Sequence, residues 1–195
     1  MRPFNKVRVL DLTHAFAGPF CAYQLGVLGA EIIKIEAVDR PDMTRADGAD
    51  PELNAQGMGL MFQAQAGGKK TLALNLKSDK GRALFDRLVV EADVVVQNFT
   101  AHCAAELGLG YDRLKVLNPS LIYCVISGYG QTGPKQSHPA YDNVIQAYSG
   151  LMAANGDSGQ APLRIGPAMV DYGTGGFGDL SGALWAGASR VGAVY

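Results

Sequence analysis

Residues 7–36 read VRVLDLTHAFAGPFCAYQLGVLGAEIIKIE, and this stretch decides the fold. Val7–Leu12 is a short apolar run rich in β-formers and reads as a strand. Gly18-Pro19 then opens a helix that continues through Leu28 and ends at Gly29, and Glu31–Glu36 (EIIKIE) makes a second strand. Two strands separated by one helix pair in parallel, because the helix supplies the crossover that a parallel pair requires.

The same alternation continues along the chain. A polar loop rich in Asp, Pro and Gly is expected from about Asp39 to Gly57, followed by a short helix over Gly57–Ala66 and a strand over Lys70–Leu76. Ser78 is placed to cap the next helix, whose apolar face is Leu84, Phe85, Leu88 and Val89. Asp93–Phe99, with VVV at its centre, is a buried strand. Short helices fill Ala101–Leu117, Leu121–Ile126 is another strand, and Tyr141–Ala153 is helical before the loop Asn155–Gly159. From Asp171 onward, small residues alternate with Phe177, Leu180, Leu184 and Val191 at helical spacing. The expected class is α/β, a Rossmann-like, largely parallel open sheet with helices on both faces.

Composition narrows the function. The chain has 195 residues, 48% of them hydrophobic, and a formal net charge of -1, a globular composition without the basic excess of a nucleic-acid binder. Its longest apolar runs are too short to span a bilayer, so no membrane partner is expected. The N-terminus MRPFNKVRVLDL has no apolar signal core, and Cys21, Cys103 and Cys124 are odd in number and lack a CxxC pair; both point to reduced thiols in the cytoplasm. His102 and Cys103 are adjacent and no third ligand has suitable spacing, so no metal is expected.

Other motifs divide between bland and functional readings. GTGGFG at Gly173–Gly178 spells G-x-G-x-x-G, but Pro167 lies in its lead-in and the sequence stops before the position of the expected acidic residue, so close helix packing explains it better than a dinucleotide. Ser127-Gly128 and Ser149-Gly150 lack the G-x-S-x-G elbow of a serine hydrolase. His14 follows the first strand, where α/β sheets bind ligands. Asp171 stands in the apolar stretch AMVDYGTGG, where it either caps a helix or reacts. The roles are compatible, since helix N–H groups would keep the carboxylate ionised for nucleophilic work and the following glycines would admit a bulky substrate.

These stretches taken together, residues 7–36 with DMTR, LALNLKSDKG, ADVVVQNF, LGLGYDRLKVLNPSLIYCVISGYGQTGP, YDNVIQAYSG and MVDYG, resemble the class III coenzyme A transferases. That family includes formyl-CoA transferase, carnitine CoA-transferase and α-methylacyl-CoA racemase. The matches run in order from Val7 to about Gly178. The resemblance implies that residues 1–195 are the N-terminal part of a larger CoA-binding α/β domain. The small domain, the C-terminal segment and a Gly-rich loop that covers the aspartate would all lie in the missing part.

Further implications of the resemblance are specific. Asp171 matches the family's catalytic aspartate, which forms a mixed anhydride and then an aspartyl-CoA thioester. CoA and its acyl thioester are substrates, with a carboxylic acid as partner and no permanently bound cofactor. His14, Ala15, Phe16 and Ala17 match a segment whose backbone approaches pantetheine. Arg45 of DMTR belongs to the same site, as do Leu74, Asn75, Leu76 and Lys77, with Lys77 as a phosphate partner. Asn98, Phe99, Thr100 and Tyr141 complete it. The family also pairs two interlocked chains, so a homodimer, or association through an apolar face of Phe177, Leu180, Leu184 and Trp185, is expected.

Several positions depart from the family pattern. Ala37 replaces an arginine after KIE, for which Arg40 offers a substitute, and NFTAHC with Glu106 stands where NFxPG and an arginine are usual. Glu106 would repel phosphate, and Lys69-Lys70 offer compensation. Tyr141 occupies the place of the histidine that the racemase branch carries, which favours transferase over racemase. A third reading is a non-catalytic piece that binds CoA or a partner chain.

Overall fold

Side chains alternate across the central strands, and this alternation sorts the core into two layers. The computed structural model describes residues 2–157 and 159–176. Its strands are β1 (Arg8–Asp11), β2 (Glu31–Glu36), β3 (Lys70–Ala73), β4 (Val94–Gln97) and β5 (Ile122–Val125). All are parallel, in the order β3-β2-β1-β4-β5. Leu10 and Val95 turn to one face, where they join Phe85, Val89, Leu109 and Leu114. Val9, Val94 and Val96 turn to the other, against Cys21, Ala22 and Leu25. Helices therefore cover both faces, as the sequence predicts.

On the second face lies α1 (Ala17–Val27); on the first lie α4 (Asp79–Val90), α5 (Ala101–Glu106) and α6 (Tyr111–Leu117). Ser78 caps α4, its hydroxyl accepting the Gly81 N–H at 3.1 Å. Phe85 and Val89 are buried as expected, and Leu88 packs against them, but Leu84 is 48% exposed and lies off the buried face. The loop expected over residues 39–57 contains a 3-10 turn (Met43–Ala46) and α2 (Pro51–Ala55), which Asp50 caps; α3 (Leu60–Ala66) follows. The helix expected over Tyr141–Ala153 is two pieces, α7 (Asp142–Tyr148) and α8 (Leu151–Ala154), because Gly150 turns left-handed at φ 81°. Residues 169–176 are helical. Phe177, Leu180, Leu184, Trp185 and Val191 lie outside the described residues, so the face expected there carries no structural statement. Among the described residues no helix is long and apolar enough to cross a membrane.

The strand order sets the place of a ligand site. The chain steps outward from β1 through β2 to β3, then returns to lay β4 and β5 on the other side of β1. Crossovers leaving β1 and β4 diverge, which opens a crevice at the C-terminal ends of those two strands.

Candidate active site

Beyond β1 the chain enters a loop that is held almost entirely by side chains. Thr13 donates its N–H to Asp11 Oδ1 at 3.0 Å, and its carbonyl accepts from Lys34 Nζ at 2.7 Å. Asn98, just past β4, clasps His14 on both sides, accepting its N–H at 3.1 Å and donating to its carbonyl at 2.8 Å. Ala15 donates to Asp42 Oδ1 at 3.3 Å, and its carbonyl accepts from Gln65 Nε2 at 3.4 Å. Polar groups of three successive peptides are thus taken. These bonds fix the backbone of Thr13–Ala15 in place ahead of the first turn of α1.

Under this loop lies a network of buried charge. Lys34, 1% exposed in its side chain, pairs with Asp42 Oδ2 at 3.0 Å, and Lys69, 2% exposed, pairs with Asp11 Oδ2 at 2.8 Å. Arg45 pairs with Glu36 at 2.6 Å and lies 3.8 Å over the Phe62 ring. Glu36 also accepts the Asp42 N–H at 2.9 Å. Burial pushes the Asp11 carboxyl up, but Lys34 and Lys69 together pull it below its ordinary value. Burial acts the same way on Asp42 and is outweighed by Lys34 and Thr44; on Glu36 it is outweighed by Arg45 and the Asp42 N–H. Lys69 is shifted down, burial outweighing Asp11. One correction follows. Lys69, offered as a compensating phosphate ligand, is sealed inside with Asp11 and the Pro19 carbonyl, and Lys70 is exposed on Glu31.

Other expected site residues gather on the same sheet edge, because all strands are parallel and each of these segments follows a strand. His14 meets Phe99 with ring centroids 5.2 Å apart, and burial shifts its imidazole pKa down. Thr100 caps α5 through the Cys103 N–H. Leu74 and Leu76 are buried in the core, so only their backbone faces outward, while Asn75 and Lys77 are exposed. Gly81 presses on this loop, since a Cβ there would lie 1.9 Å from the Asn75 carbonyl oxygen. Arg45 is present at the edge but already committed to Glu36. Glu106 is paired with His102 at 3.4 Å, and Tyr141 is 63% exposed.

Asp171 does not cap its helix. It lies inside residues 169–176, and the cap is Asp142 of α7, whose Oδ1 accepts the N–H groups of Val170 at 2.8 Å and Asp171 at 3.2 Å. Gln146, wholly buried, donates to Asp142 Oδ2 and accepts the Ile165 N–H at 2.9 Å, which fixes the carboxylate. Burial and the Asp142 charge raise the Asp171 pKa from 3.8 to about 6. The helix dipole therefore does not hold this group low, although a pKa near 6 leaves about nine-tenths of it ionised at pH 7. Tyr172 sets its ring edge-on to Phe20 at 4.9 Å and lies 6.2 Å from Phe16, joining the helix of Asp171 to the start of α1. Gly175 completes the contact, for a Cβ there would lie 2.5 Å from the Ala17 carbonyl oxygen; Gly173 faces open space. Close helix packing, the preferred reading of GTGGFG, holds at Gly175.

Asp11, Lys34, Asp42, Gln65 and Gln146 were not singled out by sequence. Lys34 in EIIKIE and Asp11 in VRVLDL carried a signal, a charge inside a strand pattern that this fold buries on both faces.

The model of CoA-transferase family III matches residues 4–191. The chain belongs to this family. Succinyl-CoA:glutarate CoA-transferase of Mus musculus is 41% identical over 187 residues, which are 96% of this chain and 42% of that protein. Acetyl-CoA:oxalate CoA-transferase of Acetobacter aceti is 41% identical over 193 residues, 99% of this chain and 47% of that protein. A crystal structure of a CAIB/BAIF family protein from Brucella suis superposes with a TM-score of 0.85 at 36% identity, covering 92% of this chain and 48% of that one. This family III chain therefore spans less than half the length of these relatives.

Proposed function

We propose that the chain carries the nucleophile and part of the CoA site of an enzyme that moves CoA between carboxylic acids, dicarboxylic acids in particular. The observation that carries this reading is Asp171, half-buried in the first turn of a helix that a second carboxylate caps, with no cation bonded to it among the described residues. The relatives' names support the substrate class, since they pair succinyl-CoA with glutarate and acetyl-CoA with oxalate.

In this mechanism the Asp171 carboxylate attacks the thioester carbonyl and expels CoA thiolate, giving a mixed anhydride. The thiolate attacks the Asp171 carbonyl and releases the donor acid, leaving an aspartyl-CoA thioester. An acceptor carboxylate displaces the thiolate to form a second anhydride. Finally the thiolate attacks the acceptor carbonyl, which frees Asp171 and the new acyl-CoA. The partial burial that raises the Asp171 pKa favours attack by a poorly solvated anion. His14, Phe16, Asn98 and Phe99 line the CoA side of this reading, with Asn75 and Lys77 at its outer rim. It also includes the family's paired chains and a cytoplasmic setting.

The test is CoA transfer from succinyl-CoA to glutarate, with hydroxylamine trapping of the acyl-enzyme on Asp171. A trapped adduct on a peptide without Asp171, or full turnover in Asp171→Ala, overturns the reading.

A further inference from the structure

Ala15 is a residue with a Cβ held at φ 65°, in the left-handed region that side chains disfavour. Something must impose that turn. Its N–H is bonded to Asp42 and its carbonyl to Gln65, and the residues before it are clamped by Asn98 and Lys34. Asp42 is itself over-determined. Its Oδ1 accepts the Thr44 N–H at 3.1 Å and hydroxyl at 2.8 Å, its Oδ2 meets Lys34, and its own N–H is held by Glu36.

Beyond Ala15 the chain enters α1 through Phe16 and Ala17, the two residues that meet Tyr172 and Gly175. The Gly175 contact leaves no slack, so a shift of the first turn of α1 is passed to the helix that bears Asp171. We infer that Asp42 is a positioning residue for the transfer reaction: by fixing Ala15 in its left-handed turn it seats the start of α1, on which the helix of Asp171 rests. This inference rests on Asp171 as nucleophile.

The experiment is a double-mutant cycle on the intact protein with Asp42→Asn and Ala15→Gly, read by kcat, by KM for the acceptor acid, and by amide exchange over residues 13–16. Asp42→Asn is expected to lower kcat by about 10–100-fold, the cost of a small misplacement of a reacting group, with KM little changed. Exchange over 13–16 rises with it. Adding Ala15→Gly, which takes the left-handed turn without a Cβ clash, returns about tenfold of the lost kcat and slows exchange again. Should Asp42→Asn not fold, Gln65→Met is expected to show the same pattern at smaller amplitude.

Wild-type kcat in Asp42→Asn, or a loss that Ala15→Gly does not restore, overturns the inference. So does unchanged exchange over 13–16, whatever the activity. A wild-type protein that transfers no CoA while Asp42→Asn raises exchange overturns the nucleophile reading and with it the positioning role of Asp42 in the reaction. The exchange result then stands as a separate statement about the turn.

Discussion

Two carboxylate-rich regions of this protein are built on opposite plans. Beneath the loop after β1, three carboxylates each have a cation, Asp11 with Lys69, Asp42 with Lys34 and Glu36 with Arg45. All three are held below their ordinary pKa values. At the other region Asp142 accepts the Asp171 N–H and no cation pairs with Asp171 among the described residues, and the Asp171 pKa is raised to about 6. The first plan spends its charge on rigidity, because each of these carboxylates is neutralised by a cation held inside the fold. The second leaves Asp171 without an ion pair among the described residues, which suits the nucleophilic role proposed for it.

The contrast breaks hardest at Asp171. Asp171→Asn is expected to abolish transfer, by about 10⁴-fold or more, measured as CoA exchange between acids. The same change should stabilise the fold at pH 7 by about 1 kcal/mol after allowance for solvent screening, seen as a higher Tm. Its sign is fixed by the raised pKa. Folding favours the protonated form, so the penalty is full above pH 6 and gone below about 4, and the variant's advantage should vanish over that window.

Next in size is the network. Lys69→Met leaves Asp11 buried without its salt-bridge partner, with only the more distant charge of Lys34 and the bonds from Thr13, and should cost about 3 kcal/mol in denaturant unfolding. Network carboxylates have depressed pKa values, so their contribution is present above about pH 4 and lost below it, the reverse of Asp171. Asp142→Asn has a smaller effect. The amide still accepts the two helix N–H groups but removes the neighbouring charge, so the acid limb of kcat/KM should move to lower pH. An unmoved limb would assign the Asp171 shift to burial alone. Least of all, Thr100→Ala should cost about 1 kcal/mol through the lost cap of α5, with little change in kcat.

Local signals made the sheet legible and nonlocal ones hid the site's supports. Glu31–Glu36 is a strand end to end as read, because its apolar pattern and its Gly29 boundary are both local. Leu84 misled, since a helix lying on a sheet buries a narrow stripe and the positions beside it stay wet. Asp171 was visible as a carboxylate out of place, but its cap was not, because Asp142 is 29 residues away in sequence. Lys69 looked like surface charge for the same reason, its partner Asp11 being 58 residues upstream. Gly150 is the intermediate case, a single residue whose left-handed turn divides a helix that periodicity alone would continue.

The strand order also dictates when the site can exist. β1 meets β2 across about two dozen residues, but its other edge waits for β4, with Val9 opposite Val94. During synthesis the first three strands can associate while that edge of β1 is still bare, and a parallel pairing of such long range forms slowly. The Asn98 clasp on His14 closes only after β4 has docked. The crevice is therefore assembled late, and a nascent chain stalled before residue 94 would display the apolar edge of β1 that β4 covers in the finished molecule.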